Sequence, residues 1–119
     1  MLFKAMLTLA AAGALATGRF HTALKSSTPS KGSTSPSPAK VTLTFTEGVN
    51  SAVSAISILK PDSTEVAKLV VKATKDATTI EGAVPQPLAA GSYIVRWRTA
   101  SNDGHAVRGV FVFTVAAAK

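Results

Sequence analysis

Apolar and polar residues alternate with a period of two along much of this chain, a pattern that predicts strands rather than helices. The clearest run is 41–45, Val-Thr-Leu-Thr-Phe, which places Val41, Leu43 and Phe45 on one face. Residues 92–99 set Tyr93, Val95 and Trp97 against Ile94, Arg96 and Arg98, and residues 109–115 set Phe111, Phe113 and Val115 against Val110 and Val112. Weaker strands are predicted at 54–59 and 65–71, joined by Lys60-Pro61-Asp62-Ser63-Thr64, a turn by composition. A short strand follows at 78–82, after which Pro85, Pro87 and Gly91 interrupt regular structure. Residues 26–38 are rich in Ser, Thr, Pro and Gly and read as an extended loop, with an ordered edge segment and a linker both compatible with that composition. No run carries the 3.6-residue period of an amphipathic helix, and no internal repeat is visible. Six or seven short strands separated by turn signals predict an all-β fold, either an antiparallel two-sheet sandwich or a small Greek-key barrel. On an alternating strand, Trp97 reads as core rather than as a binding platform.

Composition sharpens this picture. The 119 residues suffice for one domain, and Ala and Val dominate the apolar content, so the core is expected to be built of thin β-branched layers around a few aromatics. Met1-Leu2-Phe3-Lys4 forms a short positive segment and residues 5–16 are almost uninterruptedly apolar, the pattern of an export signal and too short for a spanning helix. Small residues favour cleavage after Ala16 or Gly18. A cut directly before His21 would put Phe20 at the last position, so the boundary is bracketed between 16 and 20, with a second region at 21–119. Lys4 and Arg19 fall in the signal-like segment, which lowers the formal charge from +7 to +5, eleven basic against six acidic side chains. That excess is scattered, without basic runs or interleaved aromatics, and argues against nucleic-acid binding. The absence of Cys excludes disulfides, thiolate metal sites and cysteine nucleophiles.

Little in the inventory supports catalysis. Ser101, Asp103 and His105 stand too close along one segment to converge as a hydrolytic triad, and phosphate-binding glycine loops are absent. Metal chemistry fits better. Asp103-Gly104-His105 places a carboxylate and an imidazole two residues apart around a glycine that permits a tight loop, although Asp-Gly is also an ordinary hairpin turn. The other histidine, His21, lies where the signal gives way to mature protein. As a first residue it would offer an imidazole and an α-amine, and three nitrogens with one carboxylate oxygen make a tetragonal set suited to Cu(II). Cleavage after Gly18 would instead leave Arg19-Phe20-His21, an amine-x-His chelator.

Two segments carry a family resemblance: His21-Thr22-Ala23-Leu24-Lys25-Ser26-Ser27-Thr28-Pro29, and Tyr93-Ile94-Val95-Arg96-Trp97 leading into Ser101-Asn102-Asp103-Gly104-His105. On them the chain resembles the CopC family of periplasmic copper-binding, copper-resistance proteins. The resemblance implies a cupredoxin-like or immunoglobulin-like β-sandwich that holds one Cu(II) per chain through His21, its α-amine, Asp103 and His105, with Glu47 as a carboxylate near the site. It further implies a monomeric, exported, non-enzymatic protein for copper sequestration, resistance or delivery, with a CopD-like inner-membrane transporter as partner. Some members also hold Cu(I) in a methionine-rich segment, whereas the methionines here, Met1 and Met6, both fall in the signal-like region. A metal-free β-sandwich adhesion or assembly module and a histidine-brace oxidative copper enzyme are the competing readings.

Overall fold

The computed structural model describes residues 22–117, so the signal-like segment and His21 lie outside the described residues. Among the described residues nine strands form two sheets, with one short 3₁₀ turn, Ser51–Val53. Strands β1 (Leu24–Thr28), β3 (Lys40–Phe45), β7 (Thr79–Ala83) and β6 (Val71–Ala73) make the first sheet, in the order β1-β3-β7-β6. Strands β2 (Thr34–Ser35), β9 (Ala106–Val115), β8 (Gly91–Ala100), β4 (Ala55–Leu59) and β5 (Glu65–Leu69) make the second, in the order β2-β9-β8-β4-β5. The all-β two-sheet sandwich expected from the alternation is therefore the observed architecture.

Alternation sets the inner faces. Val41, Leu43 and Phe45 from β3 meet Ile56 and Ile58 from β4, Val95 from β8 and Phe113 from β9, all excluded from solvent. A branched or aromatic side chain buried this completely contributes about 1.5–3 kcal/mol. Phe45 packs edge-on against Trp97 with ring centroids 5.1 Å apart, and Tyr93 stacks on Phe113 at 5.8 Å, its hydroxyl donating to the Ala89 carbonyl at 2.6 Å. Trp97 sits opposite Gly109 in the β8–β9 register, and a Cβ at Gly109 would lie 2.6 Å from the indole. Only glycine lets the ring lie flat over the neighbouring strand. Gly82 plays the same part beneath Leu69, where a Cβ would approach the leucine Cβ to 2.7 Å.

Three differences from the sequence expectation have physical causes. The run expected as one strand at 65–71 is two strands, because the chain changes sheets at the exposed Val70: β5 pairs with β4, whereas β6 pairs with β7. Over residues 26–38 the ordered edge segment, one of the two readings left open, is what forms, but at two separate edges rather than as one extended loop. Strand β1 pairs with β3 antiparallel, and the two residues of β2 run parallel to β9, the exception in an otherwise antiparallel molecule. Neither edge strand has a strong apolar alternation, since each is stabilised by backbone pairing with an established strand. Strands β8 and β9 also extend beyond the alternating runs, pairing continuously from Gly91↔Val115 to Ala100↔Ala106. That pairing makes a long hairpin and carries the 101–105 segment to one end of the sandwich.

Candidate metal centre

The hairpin tip is shaped by its own hydrogen bonds. Gly104 takes a positive φ of 89°, donates its amide to the Ser101 carbonyl at 2.9 Å, and so closes a tight turn that a side chain would strain. Ser101 is buried at the base of the turn and its amide donates to the His105 carbonyl at 3.2 Å. Asp103 folds back over the loop: Oδ1 accepts from the Ser101 hydroxyl and from the His105 amide at 3.1 Å, and Oδ2 lies 3.2 Å from His105 Nδ1. The Ser101 hydroxyl, followed by the His105 amide, holds the Asp103 carboxyl at a pKa of about 2, well below the usual carboxylate range. Asp103 is therefore a fixed anion at any physiological pH, and it faces an imidazole that is 82% exposed.

This pair has the spacing of adjacent metal donors. At bond lengths of about 2 Å, two cis ligands of a tetragonal ion stand about 2.8 Å apart. The observed 3.2 Å between Oδ2 and Nδ1 needs little adjustment to reach it. With Nδ1 donating instead, the same contact lets Asp103 orient the ring and leaves Nε2 as the donor atom, the relation between a carboxylate and a metal-bound histidine.

A second loop abuts the tip. Val49 forms an isolated antiparallel bridge with Ser101, the Asn50 amide donates to the Ala100 carbonyl at 2.9 Å, and Gly48 approaches so closely that a Cβ there would sit 3.2 Å from the Asn102 side-chain nitrogen. Glu47 immediately precedes that contact and is exposed. The chain enters the sandwich at the same place: Ala23 donates its amide to Thr46 Oγ1 at 3.0 Å and accepts from the Thr46 amide at 2.9 Å, while Thr22 is buried. Of the four residues singled out in the sequence, Asp103 and His105 are in contact, Glu47 stands in the adjoining loop, and His21 lies outside the described residues. Among the described residues no three His, Cys, Asp or Glu side chains gather as a metal-binding group. Ser101 entered the sequence reading only as a rejected triad member and Thr46 not at all, because a hydroxyl that fixes a carboxylate and one that anchors the entering chain show no signal until the hairpin and β1 are built.

The fold and this site define a class: a small all-β sandwich presenting an oxygen–nitrogen donor pair on an exposed hairpin tip beside its first strand. The chain belongs to the CopC family, whose CopC domain profile matches residues 24–116. It is 35% identical over 116 residues to copper resistance protein C of Pseudomonas syringae pv. tomato, covering 91% of this chain and 92% of that protein. It is 33% identical over 105 residues to copper resistance protein C of Escherichia coli, covering 80% and 81%. Its backbone is similar to the crystal structure of CopC from Methylosinus trichosporium OB3b, with a TM-score of 0.77 and 37% identity over 83% of this chain and 97% of that one. It is also similar to that of PcoC, a methionine-rich copper resistance protein of Escherichia coli, with a TM-score of 0.70 and 34% identity over 80% and 98%. Unlike that relative, this chain holds no methionine after Met6.

Proposed function

We propose that this protein is exported and binds one Cu(II) per chain, without catalysing a reaction, to sequester the ion or hand it to a CopD-like membrane partner. The ligands in this reading are the His21 imidazole and α-amine with Asp103 and His105, and Glu47 stands by as a weak axial or hydrogen-bonding group. The observation that carries it is the Asp103–His105 pair, an ionised carboxylate and an imidazole nitrogen 3.2 Å apart on an exposed tip. Support for His21 comes from connectivity. One peptide bond separates it from Thr22, about 3.8 Å between Cα atoms, and Ala23 is bonded to Thr46 beside Glu47 and the tip. The donor set contains nitrogen and carboxylate oxygen and no thiolate, which favours copper at the head of the divalent affinity series.

Intact-mass analysis of the exported protein, with and without added copper, tests the terminus and the stoichiometry together. The expected result is a chain beginning at His21 that gains the mass of one copper ion and is not displaced by equimolar zinc. A terminus elsewhere removes the His21 α-amine from the ligand set, and equal affinity for zinc or several coppers per chain overturns the single-site reading. In a purified protein, one Ala added before His21 is expected to shift the Cu(II) electron paramagnetic resonance spectrum. An unchanged spectrum leaves the amine outside the site.

A further inference from the structure

The outer face of the second sheet bears a basic cluster that the copper site does not use. On β8 and β9, Arg98 and Arg108 are direct cross-strand partners, Arg96 stands two positions before Arg98 on β8, and all three are exposed. Lys68, opposite Ser57 on the β4–β5 pair, closes the cluster, and the four enclose a shallow groove of about 490 Å³ lined between them by Ala55, Ser57, Gly109 and Trp97. Glu65 is the one carboxylate here, 3.8 Å from Arg96. The other carboxylates are committed elsewhere or distant: Glu81 pairs with Lys40, Asp103 with His105, Asp62 and Asp76 bond their own loops, and Glu47 lies at the site end. Among the described residues Arg98, Arg108 and Lys68 form no ion pair.

Like charges directly opposite on adjacent strands destabilise a sheet, so the Arg98–Arg108 pair works against folding. Arginine is also the residue whose planar fork takes carboxylates two-point, and it is enriched in protein interfaces where lysine is depleted. Arg96 and Arg98 repeat at the two-residue period of a strand, about 6.8 Å, the spacing of alternate side chains on an extended partner. Val110 and Val112, 66% and 49% exposed, continue the same face and offer apolar contact beside the charges. We propose that this groove docks an extended acidic segment of another protein, whose alternate side chains, all on the face turned to the sheet, seat carboxylates on Arg96 and on the Arg98–Arg108 pair. A second copy of this chain lacks the charge to fill it. A flat anionic bilayer would meet the rim and leave the recessed lining uncovered.

The test uses the copper-loaded mature protein and a fluorescein-labelled peptide of alternating Glu and Val, read by anisotropy. The Arg98→Gln/Arg108→Gln variant is expected to bind the peptide at least tenfold more weakly and to melt no lower than the parent, since a repulsion is relieved. Lys31→Gln/Lys72→Gln, with the same net charge and both sites exposed elsewhere, is expected to stay within twofold. Equal losses in both variants reduce the effect to net charge and overturn the proposal, as does absence of binding by the parent. Tighter arginine-dependent binding to phosphatidylglycerol vesicles than to the peptide overturns it in favour of a membrane. Copper stoichiometry is expected to be unchanged in all variants, so failure here is separate from failure of the copper site.

Discussion

Trp97 and His105 belong to the same β8–β9 hairpin, yet they are held in opposite ways. Trp97 is buried, edge-on to Phe45 and flat over Gly109, so its position is set by shape and by residues distant in sequence. His105 is almost fully exposed, and its position is set by hydrogen bonds among Ser101, Asp103, Gly104 and itself. One region is specified by packing against two sheets, the other by a local turn that packing only delivers to the end of the molecule. Fold and site are thus separable, and each can be altered with limited effect on the other.

The largest effect is expected in the packed region. Phe45→Ala removes a fully buried ring and its contact with Trp97, and is expected to cost about 3–5 kcal/mol, seen as a lowered midpoint in urea denaturation. The variant that remains folded is expected to keep the copper stoichiometry of the parent. A selective loss of copper at full stability would erase the separation between the two regions.

At the tip the signs reverse. His105→Ala and Asp103→Ala are each expected to weaken Cu(II) binding about 100-fold, or about 2.8 kcal/mol, with an unchanged circular dichroism spectrum, because loop ligands add to a site and little to a core. Glu47→Ala is expected to weaken binding about tenfold, the low end for groups that support metal ligands. Competitive titration against a chelator of known affinity checks all three. A collapsed spectrum in either tip variant would make Asp103 or His105 structural. Returning to the packed region, Gly109→Ala is expected to cost about 1–3 kcal/mol, since its Cβ would fall 2.6 Å from the indole.

The same division explains what could be read in the sequence. Val41-Thr42-Leu43-Thr44-Phe45 and the β8 and β9 runs announced themselves because burial on one face requires alternation. The sheet change at Val70 did not, because β5 and β6 join without a turn residue to mark the boundary. Over residues 26–38 an ordered edge segment was one of the two readings left open, and the strands β1 and β2 could not be placed because an edge strand needs only a partner's backbone. Asp103-Gly104-His105 was legible as a candidate donor pair only together with His21, since Asp-Gly alone is also an ordinary hairpin turn, and the Asp–His contact is what the turn geometry supplies. The Ala23–Thr46 bonds, which bring the chain entry beside Glu47, span 23 positions and leave no local trace. The Arg98–Arg108 pairing was equally hidden, since two scattered cations become neighbours only once the hairpin register is known.

The smallest expected effect concerns the contribution of the tip's charges to the fold. Asp103 has its folded-state pKa lowered from 3.8 to about 2, so its hydrogen bonds favour the folded chain at any pH above about 3.8 and lose that contribution as pH falls toward 2. Above pH 4 the carboxylate is constant. In the proposed site, copper competes with protons for the imidazoles and the terminal amine rather than for Asp103, and affinity is expected to fall steeply on mild acidification, as competitive titration between pH 8 and pH 5 would show. Because Asp103 is exposed, its own effect on stability is expected to be slight and confined to the interval between pH 4 and 2. Denaturation of the parent and of Asp103→Asn at pH 5 and pH 2.5 measures it: the parent is expected to lose marginally more stability than the variant on acidification. A loss comparable to that of Phe45→Ala would mean that the tip supports the sandwich rather than riding on it.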